Sequence, residues 1–118
     1  APHTPFEKEQ DFVSAPNGIT GLETAVVSLF HHYINKGEFG WSLLVNRYSA
    51  QPRRMMGLDP VAIVEGGRAD FILFDPKGET TFSPDFMCSK SENTPFLNKT
   101  LDGSIDLVVV GDDILLQR

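Results

Sequence analysis

The sequence predicts an α+β fold, with helices in its first half and strands in its second. Three observations carry that reading. Apolar residues recur at helical spacing between positions 21 and 35; β-branched and aromatic runs follow residue 60; and the two kinds of segment do not alternate. The chain has 118 residues, 41% of them hydrophobic, with nine Phe against one Trp and two Tyr. That is core-forming material for one domain, or for a piece of a larger one.

Taken in order, residues 1–19 read as a loop. Pro2, Pro5 and Pro16 interrupt regular structure and "SAPNG" is a turn cluster. Thr20-Gly21-Leu22-Glu23 has the spacing of a capping box, the Thr hydroxyl serving the Glu23 N–H and the carboxylate reaching back. Behind it Leu22, Ala25, Val26, Leu29, Phe30 and Tyr33 form one apolar stripe, and Gly37 supplies a stop, so the helix is expected over about 21–35. A short helix is expected over about 41–47, with Leu44, Val45 and Tyr48 inward. A third is expected over Gln51–Met56, capped by Ser49 and ended by Gly57. "VAIV" (61–64), "DFILF" (70–74), "ETTF" (79–82) and "SIDLVVV" (104–110) read as strands. "VVVGDDILL" reads as a hairpin turning at Gly111-Asp112-Asp113. The stretch between Phe82 and Leu101 is too long for a structureless connection and is expected to pack against something.

The formal net charge of −6 offers no basic stripe to displace counterions, which argues against nucleic acid and against an anionic membrane. A single cysteine, Cys88, excludes an internal disulfide framework and a Cys-based zinc cage, and reads as an incidental thiol. No apolar run approaches the roughly 20 residues of a membrane helix, and the expected compartment is the cytoplasm. His31 and His32 lie off the apolar stripe and about 100° apart on a helix, so they read as solvated surface and not as a shared metal site. Asp112 and Asp113 read as turn residues before metal ligands. "GG" at 66–67 has no following helix to cradle a phosphate. No H-x-H, HExxH, C-x-x-C or G-x-S-x-G pattern occurs. His3 stands apart, because a ring in a Pro-bracketed loop is not explained by core packing, and ligand contacts concentrate on loops.

The order of motifs resembles the dihydroorotase family of cyclic amidohydrolases. Members carry T-D-H-A-P-H-T after the last barrel strand, and Ala1-Pro2-His3-Thr4 match its end. Pro16, Gly18, Gly21, Glu23, Thr24 and Ala25 match a following P-x-G-x-x-G-x-E-T-A segment. "SAQPRRMMGL", "GGRADFILFDP", "SENTPFL" and "DLVVVGDDILL" are similar, in order, to later family segments, so the resemblance covers nearly the whole chain. Asn17 replaces a commoner apolar residue and Asn98 stands where Gly is usual.

The resemblance implies a C-terminal part of a longer enzyme whose fold is a (β/α)8 barrel carrying a small β-sandwich. Residues 1–48 would close the barrel, with an active-site loop over 1–19 and the last barrel helix over about 21–35; residues 49–118 would be a linking helix and sandwich strands. The implied activity is zinc-dependent, reversible hydrolysis of L-dihydroorotate to N-carbamoyl-L-aspartate, a step of pyrimidine synthesis. The one or two zinc ions and their ligands, and the proton-shuttling Asp expected just before Ala1, would lie outside this chain, which alone would be inactive and hold no metal. What the resemblance leaves to this chain is substrate binding. His3 would hold the substrate carboxylate, and the loop of Ala15, Pro16 and Gly18 would offer backbone groups to the ring. Expected partners are the remainder of the enzyme, the small-molecule substrate and further copies in a homo-oligomer. Two rivals are a related hydantoinase- or allantoinase-type cyclic amidase and a non-catalytic dihydroorotase-like assembly subunit. Without barrel strands the 21–35 stripe would be an exposed apolar patch, so the isolated chain is expected to self-associate.

Overall fold

The structure, a computed structural model, describes residues 3–117. Its helices come first and its strands last: α1 (Pro5–Lys8), α2 (Ala25–Leu29), α3 (Trp41–Val45), α4 (Gln51–Met55), then β1 (Asp70–Thr81), β2 (Thr100–Val110) and β3 (Asp113–Gln117). This is the α+β order that the sequence predicts.

The capping box expected at Thr20 does not form. Helix α2 begins at Ala25 behind Thr24, whose hydroxyl donates to the Gly21 carbonyl at 3.1 Å. Glu23 is drawn elsewhere. Its carboxylate accepts the N–H groups of Cys88 and Ser89, each at 2.8 Å, and so satisfies two donors of an irregular segment. The buried face of α2 is therefore Thr24, Val27 and Phe30, at 1%, 2% and 3% exposure. The stripe expected to be buried is rotated outward at both ends, with Leu22 92% and Tyr33 42% exposed. After Leu29 the backbone widens into a π-helical turn, Phe30–Ile34, where the Asn35 N–H bonds back to Phe30 O.

Helices α3 and α4 are not separate, as expected, but joined through a second π-helical turn, Asn46–Ala50, so Ser49 caps nothing. Leu44 is buried as expected, whereas Val45 and Tyr48 are more than half exposed. Gly57 ends the run as expected, at φ +68, with its N–H and that of Leu58 returning to Arg54 and Arg53 carbonyls.

The strands form one antiparallel sheet in the order β1-β2-β3. The "DFILF" and "ETTF" runs are a single strand, interrupted by irregular pairing around Pro76 and Gly78, the kind of place where a strand tolerates Pro. Val110 pairs with Asp113, which leaves Gly111, at φ +62, and Asp112 as the hairpin turn. "VAIV" is not a strand; Ile63 is 88% exposed and pairs with no strand among the described residues.

The core sits where α2 crosses β2. Val27, Phe82, Met87 and Leu101 are buried together, with Phe74, Phe86, Phe96 and Ile105 around them. Phe30 stacks on Trp41 at 5.6 Å and meets Phe74 edge-on at 4.8 Å, an aromatic trio that ties α2 and α3 to β1. The 82–101 stretch does pack, as expected, through Phe82, Met87 and Phe96. Asn98 adopts φ +58, which explains an Asn where Gly would also serve.

The molecule is open for its mass. Its radius of gyration is 16.4 Å, where about 13.5 Å suits a compact domain of this length. Its accessible surface is 8868 Å², against about 6,400 Å² for a compact monomer of this mass.

Candidate functional site

The 1–19 segment, expected to be a loop, contains a turn of helix, α1, within its described residues. Thr4-Pro5-Phe6-Glu7 forms the capping box instead. The Thr4 N–H and hydroxyl donate to Glu7 Oε2 at 2.7 and 2.8 Å, and the Glu7 N–H returns to the Thr4 hydroxyl. Bonding from the Thr4 N–H, then its hydroxyl, lowers the Glu7 carboxyl pKa from 4.5. The resulting turn of helix aims Lys8 back across the chain. Downstream, Asp11 accepts the N–H groups of Val13 and Ser14, a tight turn whose bonds, led by Ser14, hold the Asp11 carboxyl below its ordinary 3.8.

Two hollows sharing His3, Lys8, Ser91 and Asn93 open on this region. One of about 470 Å³ also takes in Pro5, Glu9, Lys90 and Glu92. The other, about 130 Å³, takes in Asn17, Gly18, Ile19 and Thr20. Of the residues singled out from the sequence, His3 and Gly18 therefore meet at one hollow. Ala15 and Pro16 are half-buried beside it and line neither. Ala1 and Pro2 of the same motif lie outside the described residues.

Lys8 and Asn93 escaped the sequence reading. The Lys8 ammonium donates to the carbonyls of Pro16 at 2.7 Å and Gly18 at 2.8 Å, with Asn17 O at 3.4 Å. Asn93 Nδ2 donates to the same Gly18 carbonyl at 3.0 Å, while Asn93 O accepts the Thr20 N–H at 2.8 Å. The T-x-x-E spacing at Thr4 was the signal that could have placed Lys8 one turn along a helix. Nothing local marks Asn93, which acts across 75 residues of sequence.

A larger hollow, about 740 Å³, lies elsewhere, lined by Arg53, Asp59, Arg68 and Asp70 among others. Its cations are engaged: Arg53 Nε donates to Asp59 O, and Arg68 Nε pairs with Asp70, both at 2.8 Å. The His3 hollow is the candidate site, because it gathers His3, Lys8, Gly18 and Asn93 from distant parts of the sequence around one loop.

The adjacent histidines are not plain solvated surface. His31 Nδ1 accepts the Asp102 N–H at 3.0 Å and pins α2 to β2. His32 lies 6.0 Å from the Phe96 ring, and its pKa is lowered from 6.5 by burial first and then by the charges of His31, Lys36 and Lys99. Among the described residues no group of three or more His, Cys, Asp or Glu side chains could hold a metal ion. No helix described is long and apolar enough to cross a membrane.

No protein-family profile matches the chain. Individual proteins do. It is 33% identical over 117 residues to a dihydroorotase of Clostridium acetobutylicum, covering 99% of this chain and 28% of that protein. It is 36% identical over all 118 residues to a dihydroorotase of Anoxybacillus flavithermus, again 28% of that protein. The chain thus spans little more than a quarter of the length of these relatives. Its fold superposes on a D-hydantoinase structure with a TM-score of 0.77 and 20% identity, covering 96% of this chain and 25% of that one. The chain is thus similar from end to end, at about a third of positions, to the C-terminal part of these dihydroorotases.

Proposed function

We propose that this chain is the C-terminal portion of a dihydroorotase, a hydrolase of cyclic amides that interconverts L-dihydroorotate and N-carbamoyl-L-aspartate in pyrimidine synthesis. In this reading residues 1–48 close a (β/α)8 barrel, 1–19 being its last active-site loop, and residues 49–118 build the accompanying β-sandwich. The excess surface and the outward ends of the apolar stripe, Leu22 and Tyr33, support it, since both suit a unit that packs on further polypeptide. Zinc belongs to the reading, as one or two ions, but the described residues do not fit it. The metal ligands and the proton-shuttling Asp are then supplied outside this chain, the chain alone is inactive, and no step through the metal is derived from it. A cytoplasmic, homo-oligomeric enzyme completes the proposal.

The chain's own contribution is recognition. His3 donates an imidazole N–H to the substrate carboxylate, and the Ala15–Gly18 loop meets the ring with backbone groups. The observation that carries this role is the meeting of His3 and Gly18 at one polar hollow, although 15 residues separate them. A charge-assisted bond of this kind contributes about 1.5–3 kcal/mol, or roughly a 10- to 150-fold effect on binding. In the full-length enzyme, His3→Ala should raise KM for dihydroorotate within that range. Turnover of a ring amide lacking the carboxylate should not change. Equal loss on both substrates would overturn the assignment of His3 to the carboxylate.

A further inference from the structure

One cation sets the conformation of the 16–18 loop. An ammonium has three N–H donors and no acceptor, and Lys8 spends them on the consecutive carbonyls of Pro16, Asn17 and Gly18, the middle one at the longest distance, 3.4 Å. Gly18 at φ +102 permits the curl that brings these oxygens to one point. In a trans peptide the N–H lies opposite the preceding C=O. Gathering three carbonyls on Lys8 therefore turns the N–H groups of Asn17, Gly18 and Ile19 to the other side of the loop. None of those three donors bonds to another group among the described residues. Asn93 reinforces the arrangement through its bond to Gly18 O.

We propose that Lys8 is a positioning residue for substrate binding, holding the 16–18 carbonyls so that the amides of Asn17, Gly18 and Ile19 form a row of donors for ligand carbonyl or carboxylate oxygens. Three aligned amides make an anion-favouring concavity, which suits a ring carrying carbonyls and an acid group. The inference rests on the reading that this loop faces dihydroorotate, and deepens it by naming both the donors and the residue that aims them.

The test uses the full-length enzyme with bound metal. Lys8→Met should raise KM for dihydroorotate about tenfold or more, the loss of a charge-assisted contact, with kcat changed far less. Lys8→Arg, which restores cationic donors, should recover most of the loss. A fall in kcat at unchanged KM, or equal behaviour of the Met and Arg variants, overturns the role, because it is what general loss of folded enzyme would give. Amide exchange on the wild-type enzyme keeps the proposal exposed even if Lys8→Met does not fold. Saturating dihydroorotate should slow exchange at Asn17, Gly18 and Ile19, and unchanged exchange there overturns it. Should His3→Ala raise KM while Lys8→Met leaves it unchanged, the clamp is wrong and the functional reading stands. Should neither variant move KM, the reading itself fails and takes this inference with it.

Discussion

Replacing Gly103 with Ala tests how tightly α2 is seated on the sheet. Gly103 lies in β2 at φ +95, a conformation that L side chains rarely adopt. A Cβ there would overlap the Phe74 ring and come within 2.7 Å of the Phe30 ring. Its carbonyl meanwhile accepts the buried Thr80 hydroxyl at 2.8 Å, so the backbone is not free to rotate away. The backbone term costs about 1–2 kcal/mol and overpacking of two rings a further 1–3 kcal/mol or so. Gly103→Ala should therefore destabilise by about 2–5 kcal/mol. Urea unfolding of the protein carrying this chain would measure it as a lower midpoint at unchanged slope. Adding Phe74→Leu, which trims one of the rings, should cost less in the Gly103→Ala background than in the wild type. A loss below about 0.5 kcal/mol, the level of an ordinary surface change, would refute the packing described at this crossing.

Two other predictions concern the irregular segment and the histidine beside it. Glu23→Gln leaves one amide N–H facing a donor at Cys88 or Ser89, so local protection there should fall by about 2–3 kcal/mol, seen as roughly 30- to 150-fold faster exchange of those two amides; unchanged exchange would show that the carboxylate does not hold the segment. His32 has a folded pKa below its ordinary 6.5, so between those two values the unfolded chain binds more protons, and stability rises as pH increases through that window and is lost as pH falls through it. A proton-NMR titration of His32 alongside unfolding midpoints on either side of pH 6.5 would check this, and a midpoint that climbs on acidification would contradict it.

Much of the secondary structure was legible because its signals are local. Gly57 and Gly111 each demand a backbone sign that few residues supply, and both mark their turns as expected. The rest was decided at a distance. Glu23 has a capping-box spacing, yet two amide donors 65 and 66 residues away outbid the helix start. "VAIV" has strand composition but no neighbour to complete its hydrogen bonds among the described residues, and a strand is a property of a pair. The Leu22–Tyr33 stripe was legible at Phe30, which is buried against Trp41 and Phe74, but not at its ends, where Leu22 and Tyr33 are exposed and Val27, outside the stripe, enters the core instead. At the site, His3 and Gly18 were visible through motif resemblance, whereas Lys8 and Asn93 act through backbone carbonyls, which leave no trace in side-chain patterns.

The stretch from residue 88 to 93 has no regular structure, yet it runs beside residues 18–23 with a fastening at either end: Glu23 on the amides of Cys88 and Ser89, Asn93 on Gly18 and Thr20. Two fastenings at fixed spacing make length, more than composition, the quantity under constraint. An inserted or deleted residue between them would slide one rail past the other and misalign the 16–18 carbonyls, so this coil should accept altered side chains at Lys90 or Glu92 far more readily than a change in its count.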